Sequence, residues 1–389
     1  MGIQAYFIER DSYANSFNRD ENAIKTDPNL FLDGLGRSGH VGTYNYEMDS
    51  GSYFFRTVYQ CWKVLGELIP VQRAVWKMLE TWKNEQEHDT KSKYRYKELP
   101  RNGLGPKVNE STGMSWTPYR PSDDCTRYGY HVPDNMWAVV TLGYVEEMAA
   151  AWDDQPMLRH AKTLREDIRR GLAEHATVNH PLFGKIYCYE VDGFGGCNQM
   201  DDANVPNLIS LPYIDPEHVA YDPVIYANTR RFILSDSNPY YFHGSVATGL
   251  GSQHTRHGYI WQMGLIIEGL TEQSRPRKVE LFNMILASTN DFMHESFNPN
   301  TPTAFTRPWF TWPDTLFAEL CVDLGLFTGI PPKPTDMDKN KFHEEWAGAA
   351  APANPLAQPP PPGVLAERDQ KLQAAIAEVA RLRHEIESA

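Results

Sequence analysis

Apolar side chains recur every three to four positions through two long stretches in the middle of the chain. Residues 134–152 set Met136, Val139, Val140, Tyr144, Met148 and Trp152 on one side of a helix, and residues 156–174 do the same with Met157, Leu158, Ala161, Leu164, Ile168 and Leu172. The same period predicts helices over 51–68, 71–83, 202–213, 222–234, 257–271, 276–293 and 314–326. Strand-like alternation is scarce, and the stretch 184–192 (GKIYCYEVD) is the best hairpin candidate. Long aromatic, Gly- and Pro-rich loops separate the helices, so polar chemistry is expected on loops. The fold class expected is all-α: an (α/α)6 toroid of helical hairpins, incomplete because the predicted helices fall short of six full pairs, with a short β-hairpin and a C-terminal helical tail.

The pattern changes near the end. Residues 1–346 read as one globular domain, 347–363 (AGAAAPANPLAQPPPPG) as an extended Ala- and Pro-rich linker, and 364–389 as an amphipathic helix or short coiled coil carrying Val364, Leu365, Leu372, Ile376, Val379, Leu382 and Ile386. At fewer than four heptads this tail is expected to support only weak self-association.

Composition narrows the function. A formal net charge of −13 repels phosphates and argues against a nucleic-acid partner. No 18-residue apolar span predicts a membrane helix, and the N-terminus shows no signal-peptide pattern, so the location in the cell stays unassigned. Tyr6 occupies the position where a myristoylation motif needs Ser or Thr. Five cysteines, an odd number at irregular spacing, define no disulfide framework, although Cys188 and Cys197 could bridge a hairpin in an oxidising compartment. Gly-x-Ser-x-Gly, Walker, dinucleotide and calcium-loop patterns are absent from the sequence, which removes the commonest nucleotide and serine-hydrolase readings.

Two acid-bearing patches remain, set among aromatic residues. Arg120-Pro121-Ser122-Asp123-Asp124 lies near Trp116, Tyr119, Tyr128 and Tyr130; His294-Glu295-Ser296-Phe297 lies near Phe305, Trp309, Phe310 and Trp312. Metal-free cleavage of a glycosidic bond needs two carboxyl groups, one protonated to assist the leaving oxygen and one ionised to activate water. Adjacent carboxylates repel, which favours one of Asp123 and Asp124 keeping a proton, while Arg120 and Arg127 are expected to hold the other as an anion. Glu295 is expected at a helix C-terminus, where the dipole disfavours an anion, with Arg307 orienting it. Glu47 reads as a sugar-binding acid beside Asp49, the expected helix N-cap. Asp201 reads as a ligand to sugar hydroxyls and Asp202 as a capping acid. His254, after a Gly-rich loop, suits a donor to a sugar hydroxyl; His254 and His257 lack a third ligand nearby, which disfavours zinc.

Seven segments, in order, carry a resemblance: Asp11 to Asn18, Tyr46 to Ser50, Arg120 to Asp124, Met200 to Pro206, Gly249 to Thr255 with Tyr259-Ile260-Trp261, His294 to Phe297, and Phe305-Thr306-Arg307 with Trp309-Phe310. Together, over roughly residues 3–330, the chain resembles glycoside hydrolase family 125, the metal-independent exo-α-1,6-mannosidases. The resemblance implies an (α/α)6 barrel and an inverting reaction without cofactor on a mannose-containing oligosaccharide or N-glycan. It implies an Asp of 123–124, with Asp123 preferred, as general acid and Glu295 as general base, their carboxyls about 6.5–9.5 Å apart. The substrate-binding set expected is Glu47, Asp49, Arg120, Asp201, Asn204, His254, Trp261, Arg307, Trp309 and Trp116. The sequence departs from the family pattern: the Trp-Leu-Arg-Asp-Ser segment of the family's N-terminal part is not found, and Gln253 and Gln262 stand where Pro is usual. A carbohydrate-binding protein derived from the family is the alternative.

Overall fold

A computed structural model describes residues 2–18, 40–289 and 292–326. The chain begins with α1 (Gly2–Arg10), the two-stranded β1 (Ser16–Phe17) and β2 (Val41–Thr43), then α2 (Met48–Leu65), α3 (Gln72–Glu85) and the short turns α4 (His88–Lys91) and α5 (Pro100–Gly103). Strand β3 (Tyr130–His131) leads into α6 (Val132–Ala151) and α7 (Gln155–His175). Four strands follow, β4 (Thr177–His180), β5 (Gly184–Tyr187), β6 (Glu190–Val191) and β7 (Cys197–Asn198), before α8 (Leu211–Ile214) and α9 (Pro223–Ile233). The remainder comprises β8 (Tyr241–His243), β9 (Thr248–Leu250), α10 (Gln262–Leu270), α11 (Arg275–Ala287), β10 (Ser296–Asn298), β11 (Thr301–Thr306) and α12 (Thr311–Asp323). Two units divide the chain, Met1–Phe317 and Ala318–Ala389, with the boundary inside α12. The expected linker 347–363 and tail helix 364–389 lie outside the described residues.

Helix-rich architecture is as expected from the apolar period, and burial explains which helices go where. α6 is apolar on nearly every side and buries Met136, Trp137, Val139 and Leu142, the signature of an inner helix. α7, amphipathic, covers it with Met157, Ala161, Leu164 and Ile168. α10 is likewise buried through Met263, Leu265, Ile266 and Ile267 and is backed by α11, while α2 packs on α6 and α1 on α3. Among the described residues no helix is long and apolar enough to cross a membrane.

Three expectations need correction. The helix expected over 202–213 forms only at Leu211–Ile214. Upstream, Asp201 takes the amides of Leu208 and Ile209 at 2.9 and 3.0 Å, and Asn207 takes that of Ser210 at 3.0 Å, so side chains replace the helical carbonyls as acceptors. The hairpin expected at 184–192 instead pairs β4 with β5, and β6 turns away into a three-stranded sheet ordered β3-β6-β7. Helix α2 begins after Glu47, which holds the N-cap position without a side-chain cap bond, and Asp49 sits in its first turn. Cys188 and Cys197 are joined by a disulfide.

Candidate active site

The acid patch is a tight turn. Tyr119 and Cys125 pair as an antiparallel bridge, Arg120 N donates to the Asp124 carbonyl at 2.9 Å, and Asp123 N donates to the Arg120 carbonyl at 3.0 Å. Closing it puts Asp123 in the left-handed region at φ 66°, where a short polar side chain is tolerated better than a branched one. The exposed Asp123 carboxylate accepts from the side-chain amides of Asn15, at 3.3 Å, and Asn45. Asp124 accepts from Ser122 Oγ at 3.0 Å and faces His254 Nδ1 at 3.6 Å, an ion-pair distance rather than a hydrogen bond. Arg120 and Arg127 do not hold either carboxylate. Arg120 is buried and gives its Nε to Glu190 at 2.5 Å and its Nη1 to Gln253 at 3.0 Å, and the Arg127 guanidinium lies over Tyr128.

Glu295 stands elsewhere than expected: α11 stops at Ala287, and Glu295 directly precedes β10, so no helix dipole acts on it. Its amide donates to the Thr306 carbonyl at 3.3 Å, across the β10–β11 hairpin. Arg307 follows β11 with φ 47° and brings Nη2 to 3.2 Å from Glu295 Oε1. Its guanidinium lies 4.7 Å from the centre of the Phe310 ring. The Arg307 head is half exposed, so the ion pair orients Glu295 more than it stabilises the fold. Asp123 and Arg307 are two of six non-glycine residues in the left-handed region among the described residues; Arg101, Asn102, Asp153 and His218 are the others.

The Gly-rich loop joins the two patches. The Ile260 and Phe297 backbones pair, and Trp261 N donates to the Leu250 carbonyl at 2.9 Å. A Cβ on Gly251 would lie 2.2 Å from the Tyr259 carbonyl oxygen, so only glycine lets these segments approach and bring His254 to Asp124. The Asp124 carboxylate raises the half-buried His254 imidazole above its usual value, against the opposing effect of burial, and the charges of Glu295 and Asp123 add to the rise. One imidazole therefore senses all three carboxylates.

Beneath Asp123 lie Glu47, Asp49 and Asp134, all buried. Burial raises Glu47 well above the carboxylate range, helped by the Asp49 and Asp123 charges. Burial, then the Asp134 charge, does the same to Asp49. Asp134 rises through burial alone, while burial lowers His131, 3.0 Å from it, to about 3. A carboxyl protonated when folded and ionised when unfolded is indifferent below its unfolded value, about 3.9 for Asp. Above that value it works increasingly against folding as pH rises. Asp49→Asn is accordingly expected to raise the unfolding temperature at pH 8 by about 2–4 °C and to change it little at pH 4. An equal difference at both pH values, read by calorimetry, is the contrary result.

Several expected ligands lie off this cluster. Asp201 is fully buried with both carboxylate oxygens used by backbone amides. Asn204 is buried and donates to Asp202 at 2.6 Å. Trp116 is buried and stacks on His88 with ring centres 3.5 Å apart. These three serve the fold here, and Arg120 is buried with its Nε and Nη1 given to Glu190 and Gln253. Trp261 is buried beside His254 and gives its indole N–H to Thr255 at 2.8 Å, and Trp309 is exposed. Sequence reading missed Asn15, Asn45, Asp134 and Glu190. Asn15 and Asn45 each lie in or beside a motif segment, a usable signal; Asp134 and Glu190 had none.

The family model described as metal-independent alpha-mannosidase (GH125) matches residues 1–322. The chain belongs to this family. A metal-independent α-mannosidase of Streptococcus pneumoniae, solved as a non-productive substrate complex with α-1,6-mannobiose, is 38% identical with a TM-score of 0.76, covering 83% of this chain and 78% of that one. The meiotically up-regulated gene 157 protein of Schizosaccharomyces pombe is 39% identical over 241 residues, 61% of this chain and 46% of the yeast protein. The chain thus spans less than half the length of that curated relative.

Proposed function

We propose that this GH125 chain is an exo-acting α-mannosidase that hydrolyses terminal α-1,6-linked mannose by single displacement, on an (α/α)6 toroid whose inner and outer helices are the pairs described above. The observation that carries the reading is the pairing of Asp124 with His254 at 3.6 Å, on a loop whose Ile260 pairs with Phe297 beside Glu295. Asp123, at the exposed tip of its turn, protonates the leaving oxygen. Glu295, oriented by Arg307, activates a water on the opposite face of the ring. Glu47 and Asp49, holding protons, donate hydrogen bonds to sugar hydroxyls, and His254, Trp261, Phe310 and Trp309 border the pocket. Aromatic faces suit the apolar C–H surface of a pyranose. Leaving-group protonation and an activated water complete the chemistry without a metal ion.

The likeness to a mannosidase captured with α-1,6-mannobiose supports both sugar and linkage. The test is mannose release from α-1,2-, α-1,3- and α-1,6-mannobiose at equal concentration. The reading expects turnover of the α-1,6 isomer well above the others; equal rates, or none on the α-1,6 isomer, overturn it.

A further inference from the structure

Glu190 belongs to no expected role and is fully buried. Its Oε1 accepts from Arg120 Nε at 2.5 Å, and its Oε2 from the Arg127 backbone N–H at 2.9 Å and from Asn198 Nδ2 at 3.3 Å. One carboxylate thereby clamps both ends of the segment that carries Asp123 and Asp124. Through Arg120 the clamp continues to Gln253, the neighbour of His254. Glu190 is itself held on both sides, facing His131 of β3 and Asn198 of β7. The disulfide between Cys188 and Cys197 closes the ribbon that contains it. A buried ion pair is a weak source of stability, because desolvation offsets the attraction; holding a loop in register is the better account of its placement.

We propose that Glu190, fixed on the disulfide-closed β6–β7 ribbon, is a positioning residue that aims the acid turn at the leaving oxygen. The inference rests on the proposed inverting mechanism. Mis-aiming the acid harms only substrates whose leaving group needs a proton. An alkoxide leaving group needs one; a dinitrophenolate does not. The experiment measures kcat, KM and thermal unfolding for the full chain, Glu190→Gln and Cys188→Ala/Cys197→Ala, on α-1,6-mannobiose and on 2,4-dinitrophenyl α-mannoside.

Glu190→Gln is expected to lose about 10–100-fold in kcat on the mannobiose and less than about threefold on the aryl mannoside, with KM little changed. The double cysteine variant, which leaves every hydrogen-bonding group of Glu190 in place, is expected to show the same substrate dependence in smaller degree. It carries the comparison if Glu190→Gln does not fold. Equal losses on both substrates, or no loss, overturn the positioning role while the wild-type rates leave the mannosidase reading standing. A wild-type chain that cleaves neither substrate overturns both.

Discussion

Glu295→Ala is expected to lower kcat on α-1,6-mannobiose by about 10²–10⁴-fold, with thermal unfolding nearly unchanged. The carboxylate is not a structural partner: its contacts are one half-exposed guanidinium and the charge it presents to His254. Without it, water at the anomeric carbon has no base to take its proton. Azide needs no such base, so added azide is expected to restore turnover and to leave a β-mannosyl azide, formed from the face opposite the leaving group. A variant that keeps near-full rate, or an α-azide product, removes Glu295 from the role of base.

Asp123→Asn is expected to lose as much on α-1,6-mannobiose, about 10²–10⁴-fold, yet to retain most of its rate on 2,4-dinitrophenyl α-mannoside. Asp124→Asn separates the neighbours. Asp124 is already engaged by Ser122 Oγ and His254, whereas Asp123, exposed at the tip of the turn, meets the side-chain amides of Asn15 and Asn45 and the carboxyl of Glu47. The loss in Asp124→Asn is therefore expected on both substrates alike, through misplacement of His254. The reverse pattern, with the leaving-group dependence in Asp124→Asn, moves the acid by one residue.

Periodicity made the helical frame legible where burial alone decides structure. The apolar repeats over 134–152 and 156–174 become α6 and α7, because a helix facing the core must carry its apolar groups at that spacing. It failed where side chains compete for the backbone. Between Asp201 and Ser210 the apolar spacing is helical, but Asp201 and Asn207 capture the amides that a helix would use. The site followed the same division. Of the acids in recognisable segments, Asp124 lies 3.6 Å from His254, and the charges of Glu295 and Asp123 act on the same imidazole. Aromatic proximity misled at Trp116, whose ring is spent on His88. Motif membership misled at Asp201, which holds its own loop together. Arg120 lies in a motif and still acts through a partner, Glu190, that no local pattern marks, because their pairing is made by a sheet closed far along the chain.

The proposed placement of Asp123 and Glu295 on opposite sides of one mannose has a direct consequence in the anomeric form of the first product. Proton NMR of α-1,6-mannobiose during the first minutes of hydrolysis, before mutarotation, reads it. The account predicts β-mannose appearing first, with the α-anomer growing in later; α-mannose as the initial product contradicts it.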